Sequence, residues 1–220
     1  KTDNKLILIS KMSIGKYIML EGGERFGKGL QLDLLEDYFK EKKINYLRLR
    51  EPGETEVGKI FRHIVQERED FDLHPLTEAF AYCADRVETF HKLIIPNLEK
   101  GVSILEDRSW PSTYVYQGKL GELNKSHKNL ISYLTETATF GLMPDVLFIL
   151  SGNQEERLKG FNEKDRMENK VSQNPSAVDE GYLEVAKKYS DISIIIPYQE
   201  NQPELMQQEI RNYLEKILGI

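Results

Sequence analysis

Residues 21–31 read Glu21-Gly22-Gly23-Glu24-Arg25-Phe26-Gly27-Lys28-Gly29-Leu30-Gln31, and Gly22, Gly27 and Lys28 satisfy the spacing Gly-x4-Gly-Lys. Such a loop binds phosphate because its backbone N–H groups wrap the oxygens and its lysine neutralises the terminal charges, while a following Ser or Thr hydroxyl ligates magnesium. Gly23 and Gly29 add amides that no side chain obstructs. Gly29 also stands where the hydroxyl belongs, so a nucleotide is implied while a magnesium ligand must come from elsewhere. A tight turn that binds nothing is the alternative, and the lysine beside the glycines argues against it.

A phosphate loop works only between a buried strand and a helix. Tyr17-Ile18-Met19-Leu20 supplies the apolar run before it, and Leu30, Leu34, Leu35, Tyr38 and Phe39 follow at helical spacing. Strand-like runs at 16–21, 44–50, 102–106, 145–151 and 192–197 alternate with helix-like segments at 27–43, 77–99, 127–140, 176–190 and 203–218. This alternation predicts an α/β fold with a five-stranded parallel sheet flanked by helices. Ser176 and Asp179 have capping-box spacing just after Pro175, predicting a helix start there.

Ligands of open α/β sheets sit beyond the carboxyl ends of the strands, and three of those ends carry charge. After the first comes the glycine loop, after the second Arg50-Glu51-Pro52-Gly53, and after the third Asp107-Arg108. Asp107 is placed to hold magnesium, directly or through water; a cap on the next helix is its other reading. Arg108, beside a strand-end Asp and facing a phosphate loop, is suited to a phosphate.

With 220 residues, of which 40% are hydrophobic and 30% charged, the chain has the composition of one soluble domain. A net charge of -6 argues against a nucleic-acid partner. No apolar stretch reaches membrane-spanning length. Residues 1–15 read as an N-terminal extension that lacks the cleavage site of a secretory signal, ahead of a domain at 16–220. The lone Cys83 excludes an internal disulfide, fits the cytoplasm and reads as core. The four histidines have no metal-ligand spacing.

Further segments complete the pattern: Thr77–Phe90, Asp107–Gly118, Leu142–Leu150 and Asp165-Arg166-Met167-Glu168. In this order they resemble the thymidylate kinase family from about Lys16 to the C-terminus. The resemblance implies a P-loop nucleoside-monophosphate-kinase fold with a short lid at about 151–171, usually as a homodimer. It implies transfer of the γ-phosphoryl of ATP to dTMP with Mg2+.

By motif position, Lys28 and the loop amides hold the donor phosphates. Glu24 stands where the family commonly has Asp, with Asp107 as its companion near the metal. Arg25 matches the loop arginine of one branch, where it stabilises the moving phosphoryl group. Tyr82 takes the place of a base-stacking Phe, Arg86 that of the arginine reaching the thymine carbonyl, and Arg50 and Arg108 are the candidates for the acceptor phosphate. Thr113, Tyr116 and Gln117 match positions that read the base edge or deoxyribose. Arg157, Lys159, Lys164 and Arg166 are the lid cations, and Met167 departs from the usual aromatic.

Taken as residues alone, Tyr82 also suits ordinary core, Arg86 an ion pair with Asp85, and the lid cations a solvated loop interleaved with acids. The family resemblance implies dTMP or a close 5-substituted dUMP as the acceptor. Two other functions stay open: a nucleotide-binding homologue impaired by Gly29 and Met167, and a deoxynucleoside kinase in which Glu24 is a base for a sugar hydroxyl.

Overall fold

The computed structural model describes residues 15–68, 70–159 and 166–219. Five parallel strands, β1 (Tyr17–Gly22), β2 (Tyr46–Arg50), β3 (Ser103–Asp107), β4 (Val146–Ser151) and β5 (Ser193–Pro197), form one sheet in the order β2-β3-β1-β4-β5. Every residue of β1 and β3 is buried, as expected where helices cover both faces. Alternate side chains of β1 enter opposite cores: Tyr17 and Met19 pack on one face, Ile18 and Leu20 on the other. The strand order reverses at β1, between β3 and β4, and a crevice opens there beyond the strand ends.

Helices α1 (Lys28–Glu41), α2 (Glu56–Arg62), α3 (Pro75–Thr89) and α4 (Ile95–Glu99) precede β3. Thr55 caps α2 by accepting from the Gly58 N–H at 2.9 Å. The helix expected over 77–99 is continuous in space but changes winding, with a π-helical turn at Phe90–Ile94 between α3 and α4. After β3 come α5 (Trp110–Ser112), a π-helical stretch Thr113–Leu120 and α6 (Lys125–Ala138). The last are α7 (Gln154–Leu158), α8 (Arg166–Gln173), α9 (Pro175–Lys188) and α10 (Pro203–Leu218).

Two expectations need correction. The Ser176–Asp179 capping box does not form: Pro175 is the first residue of α9, Ser176 Oγ bonds Asn174 Oδ1 at 3.2 Å, and Asp179 accepts from the Gln154 N–H. The segment 151–171, for which a solvated charged loop was the alternative to a lid, contains α7 and residues 166–171 of α8, so that alternative does not hold there. The N-terminal extension as far as residue 14 and Lys164 lie outside the described residues. Among the described residues no helix is long and apolar enough to cross a membrane.

Candidate active site

The phosphate loop begins where β1 meets β4. Gly22 has φ 141°, and a Cβ there would stand 2.4 Å from the Leu150 carbonyl oxygen, so only glycine fits. Gly27, at φ 80°, turns the chain into α1. Lys28 folds back over the loop and donates to the carbonyls of Gly22 at 3.0 Å and Gly23 at 2.6 Å. Burial lowers its pKa to about 8, with Arg108 adding repulsion and Glu24 and Asp107 opposing it. A Cβ on Gly29 would meet nothing within 4 Å, so the missing hydroxyl is not a steric requirement.

Arg108 follows directly after β3 with φ 65°, which turns its side chain under the loop. Its Nη2 donates to Glu24 Oε1 at 2.8 Å. Its Nη1 lies 3.2–3.3 Å from the Gly22 carbonyl, Ser112 Oγ, and the Tyr116 and Tyr182 hydroxyls. Tyr116 also donates to Glu24 Oε1 at 2.8 Å. Burial disfavours the Glu24 carboxylate, but Arg108, Lys28 and the Tyr116 hydrogen bond prevail and lower its pKa to about 2.

Beneath them lies Glu21, fully buried at the end of β1. It accepts from the Ser109 N–H at 2.7 Å, Ser112 Oγ at 2.7 Å and the Tyr182 hydroxyl at 2.9 Å. Burial raises its pKa despite the Arg108 charge. Asp107 is also buried, and its Oδ1 has no hydrogen-bond partner, which leaves an oxygen for a cation. Arg50 reaches only to 3.7 Å from Asp107 Oδ2, is 61% exposed and stands outside the cavity wall.

Beside Arg108 opens a pocket, about 400 Å³ of empty space with the open solvent at its mouth included, whose walls include Tyr82, Arg86, Thr113, Tyr116, Gln117 and Met167. Six of the seven residues expected on the acceptor side thus come together, Arg108 among them. The expected alternative for Arg86, a surface pair with Asp85, is wrong. Arg86 is 1% exposed and donates from Nε to Glu51 at 2.9 Å and from Nη2 to Thr113 Oγ1 at 3.1 Å. Asp85 instead accepts from the Gly53 N–H at 3.3 Å. Gln117 donates to Glu78 at 3.0 Å, a carboxylate that also takes Lys170 at 2.7 Å.

Burial raises the pKa of Glu51, against the pull of Arg86, and raises that of Glu106, whose carboxyl accepts from the Tyr17 hydroxyl. Cys83 is buried beside Arg86, its sulfur 3.9 Å from Nη1.

Arg25 and the expected lid cation Arg157 face different partners. Arg25 pairs with Glu168 of α8 at 2.8 Å. The Arg157 guanidinium lies 4.4 Å from the centre of the Tyr198 ring and 3.9 Å from Glu200, a placement that takes it to the β5 side of the loop. Lys159 is exposed at the end of α7, and Arg166 opens α8. The sequence reading assigned no role to Glu21, Glu51, Ser112, Tyr182 or Glu168. An acidic residue closing an otherwise apolar strand was the available signal for Glu21.

The Arg86–Glu51 pair generates a stability prediction. A carboxyl raised above its ordinary 4.5 binds more protons folded than unfolded across that window, so its contribution falls as pH rises. Arg86→Met removes the compensating charge, pushes the pKa higher and should cost about 3–5 kcal/mol at pH 8. The cost should shrink at pH 5.5, where Glu51 keeps its proton. Urea unfolding at the two pH values checks this, and a pH-independent loss would contradict it.

The thymidylate kinase family model matches residues 20–210. The thymidylate kinase of Thermoanaerobacter sp. (strain X514) is 34% identical over 208 residues, 93% of this chain and 99% of its own length. That of Caldanaerobacter subterraneus subsp. tengcongensis is 36% identical over 184 residues, 83% of this chain and 86% of its own. In architecture the chain is similar to the crystal structure of thymidylate kinase from Ehrlichia chaffeensis, with a TM-score of 0.71 and 24% identity, over 91% of this chain and 98% of that one. The match spans the phosphate loop, the Asp107-Arg108 strand end and the cavity wall alike, and the chain belongs to the thymidylate kinase family.

Proposed function

We propose that this protein transfers the γ-phosphoryl group of ATP to dTMP, giving dTDP and ADP. The observation that carries this is Arg108, held between the phosphate loop and an open pocket lined by Tyr82, Arg86, Thr113 and Gln117, where one guanidinium can grip an acceptor phosphate at the edge of the donor site. Phosphoryl transfer needs alignment and positive charge more than covalent chemistry. Lys28 and the loop amides supply both on the donor side. An acceptor phosphate is already ionised, so no base is required. Glu24, with a pKa of about 2 and bonds from Arg108 and Tyr116, is a poor base for a sugar hydroxyl, which favours a monophosphate over a nucleoside as acceptor.

The cavity supplies what a thymine needs: the Tyr82 ring for stacking, Arg86 toward a carbonyl, and Thr113 and Gln117 for the base edge. Arg25 and the lid residues Arg157, Lys159, Lys164 and Arg166 are proposed to add charge on lid closure. Asp107 fits a magnesium ion carried in with ATP, because its buried Oδ1 lacks a partner, whereas Glu24 Oε1 is already engaged. Bound there, the ion would neutralise charge on the β and γ phosphates. On this reading Gly29 weakens the metal site without removing it. The substrates and the buried, lone Cys83 support a cytoplasmic setting.

The packed helices α2 and α3 leave Val57, Ile60, Phe80 and Val87 exposed, with Ile60 61% accessible. This apolar face supports a homodimer. Light scattering should give twice the chain mass, and Phe80→Glu should lower it; a wild-type monomer at tens of micromolar would refute the dimer.

Coupled ADP release across dTMP, dUMP, 5-substituted dUMPs, other monophosphates and thymidine tests the activity. Turnover with dTMP is expected, a loss of at least about a hundredfold in Lys28→Met, and a higher magnesium requirement in Asp107→Asn. No turnover with any acceptor, alongside measurable nucleotide binding, would favour an impaired homologue. Turnover with thymidine alone would favour a nucleoside kinase.

Lys28 also links binding to pH. Its lowered pKa means that it is partly neutral above pH 8, and a triphosphate beside it favours the charged form. Calorimetry of ATP binding in two buffers should therefore show uptake of about half a proton or more at pH 9, and little from this lysine at pH 7. Equal proton uptake at both pH values would contradict that role.

A further inference from the structure

We propose that Gln154 is a positioning residue for phosphoryl transfer, its carboxamide holding the backbone of Glu24 so that the Glu24 carboxylate meets Arg108. This rests on the kinase reading above. Gln154 is the first residue of α7 and is fully buried. Its Oε1 accepts from the Glu24 N–H at 2.7 Å, and its Nε2 donates to the Glu24 carbonyl at 3.2 Å. One planar amide thus satisfies both backbone groups of the same loop residue. A carboxylate could only accept, and a lysine could only donate.

The surroundings are built for this contact. A Cβ on Gly23 would fall 1.9 Å from Gln154 Oε1, so glycine at 23 is what admits the amide. On the other side, the Gln154 backbone N–H donates to Asp179 Oδ2 of α9 at 3.0 Å, which anchors the residue against a second helix.

The consequence reaches the reacting groups. With its N–H committed to Gln154, Glu24 leaves phosphate wrapping to the amides that follow it, from Arg25 to Gly29. Its two peptide planes are fixed, and its side chain then has a defined direction toward Arg108 and Tyr116, each at 2.8 Å. Arg25, next in the chain, adopts φ 63° and pairs with Glu168 of α8 at 2.8 Å. The loop is therefore held from α7 through a neutral amide and from α8 through an ion pair. Gln154 bonds Glu24 and Asp179, not Arg108, and so acts through Glu24.

The test is Gln154→Met, which keeps the length of the side chain and loses both hydrogen bonds. The transfer rate is measured by single turnover with ATP and dTMP, alone and combined with Glu24→Gln, so that slow variants remain measurable. In the wild-type background the rate should fall about tenfold or more, with the KM for ATP changing less than about threefold; in the Glu24→Gln background the same substitution should cost less than about threefold. Equal losses in both backgrounds, as a packing role would give, overturn the proposal, and so does an unchanged rate.

If the methionine variant does not fold, Gln154→Glu keeps the acceptor for the Glu24 N–H and sets a carboxylate against the Glu24 carbonyl, and the same comparison applies. A wild type inert toward dTMP refutes the kinase reading instead. Hydrogen exchange at the Glu24 amide then decides the clamp: exchange at least about tenfold faster in Gln154→Met supports it, and an unchanged rate overturns it.

Discussion

A guanidinium largely withdrawn from water must find acceptors for its N–H groups, and Arg108, whose side chain is 15% exposed, finds them on the phosphate loop, α5, the helix that follows it and α9. The placement of these segments is tied together by that one shared charge. Four oxygens crowd Nη1, which has only two hydrogens to give. Its bonds are therefore exchangeable, and an incoming phosphate competes with weak partners instead of breaking a saturated set. The bond to Glu24 on Nη2 is the exception: it is short, charge-assisted and reinforced by Tyr116. Arg108 is thus anchored at one nitrogen and adaptable at the other.

Buried acids form the layer below. Glu21 orients the Ser112 and Tyr182 hydroxyls that face Arg108, and Glu51 compensates Arg86 in the cavity wall. Glu106 lies under the second pair, held by Tyr17. Ion pairs this deep contribute little net stability, because desolvation offsets attraction. What they provide is direction: each cation is fixed by a carboxylate behind it and presents its remaining donors to the cleft.

The sheet was legible because its strands are continuous apolar runs separated by amphipathic helices, a pattern that local sequence carries. The loop was legible because Gly22, Gly27 and Lys28 each meet a distinct physical demand. Helix α2 was missed because Glu56, Lys59 and Arg62 hide its periodicity, and the helix through 113–120 because its π-type winding breaks the 3.6-residue repeat. Tertiary partners were the least visible. Arg86 sits beside Asp85 in the chain yet pairs with Glu51, thirty-five residues away, and Asp179 serves Gln154 where local spacing suggested a cap. Such pairings follow from how strand ends converge, which no short window of sequence contains.

The most direct measurement is a crystal structure with dTMP and a non-hydrolysable ATP analogue. Thymine is expected between Tyr82 and the Arg86–Thr113 wall, with the dTMP phosphate on the Arg108 guanidinium and the triphosphate along residues 25–29. A dTMP bound elsewhere, or a phosphate in that cavity out of hydrogen-bonding reach of Arg108, would contradict the placement of the acceptor site.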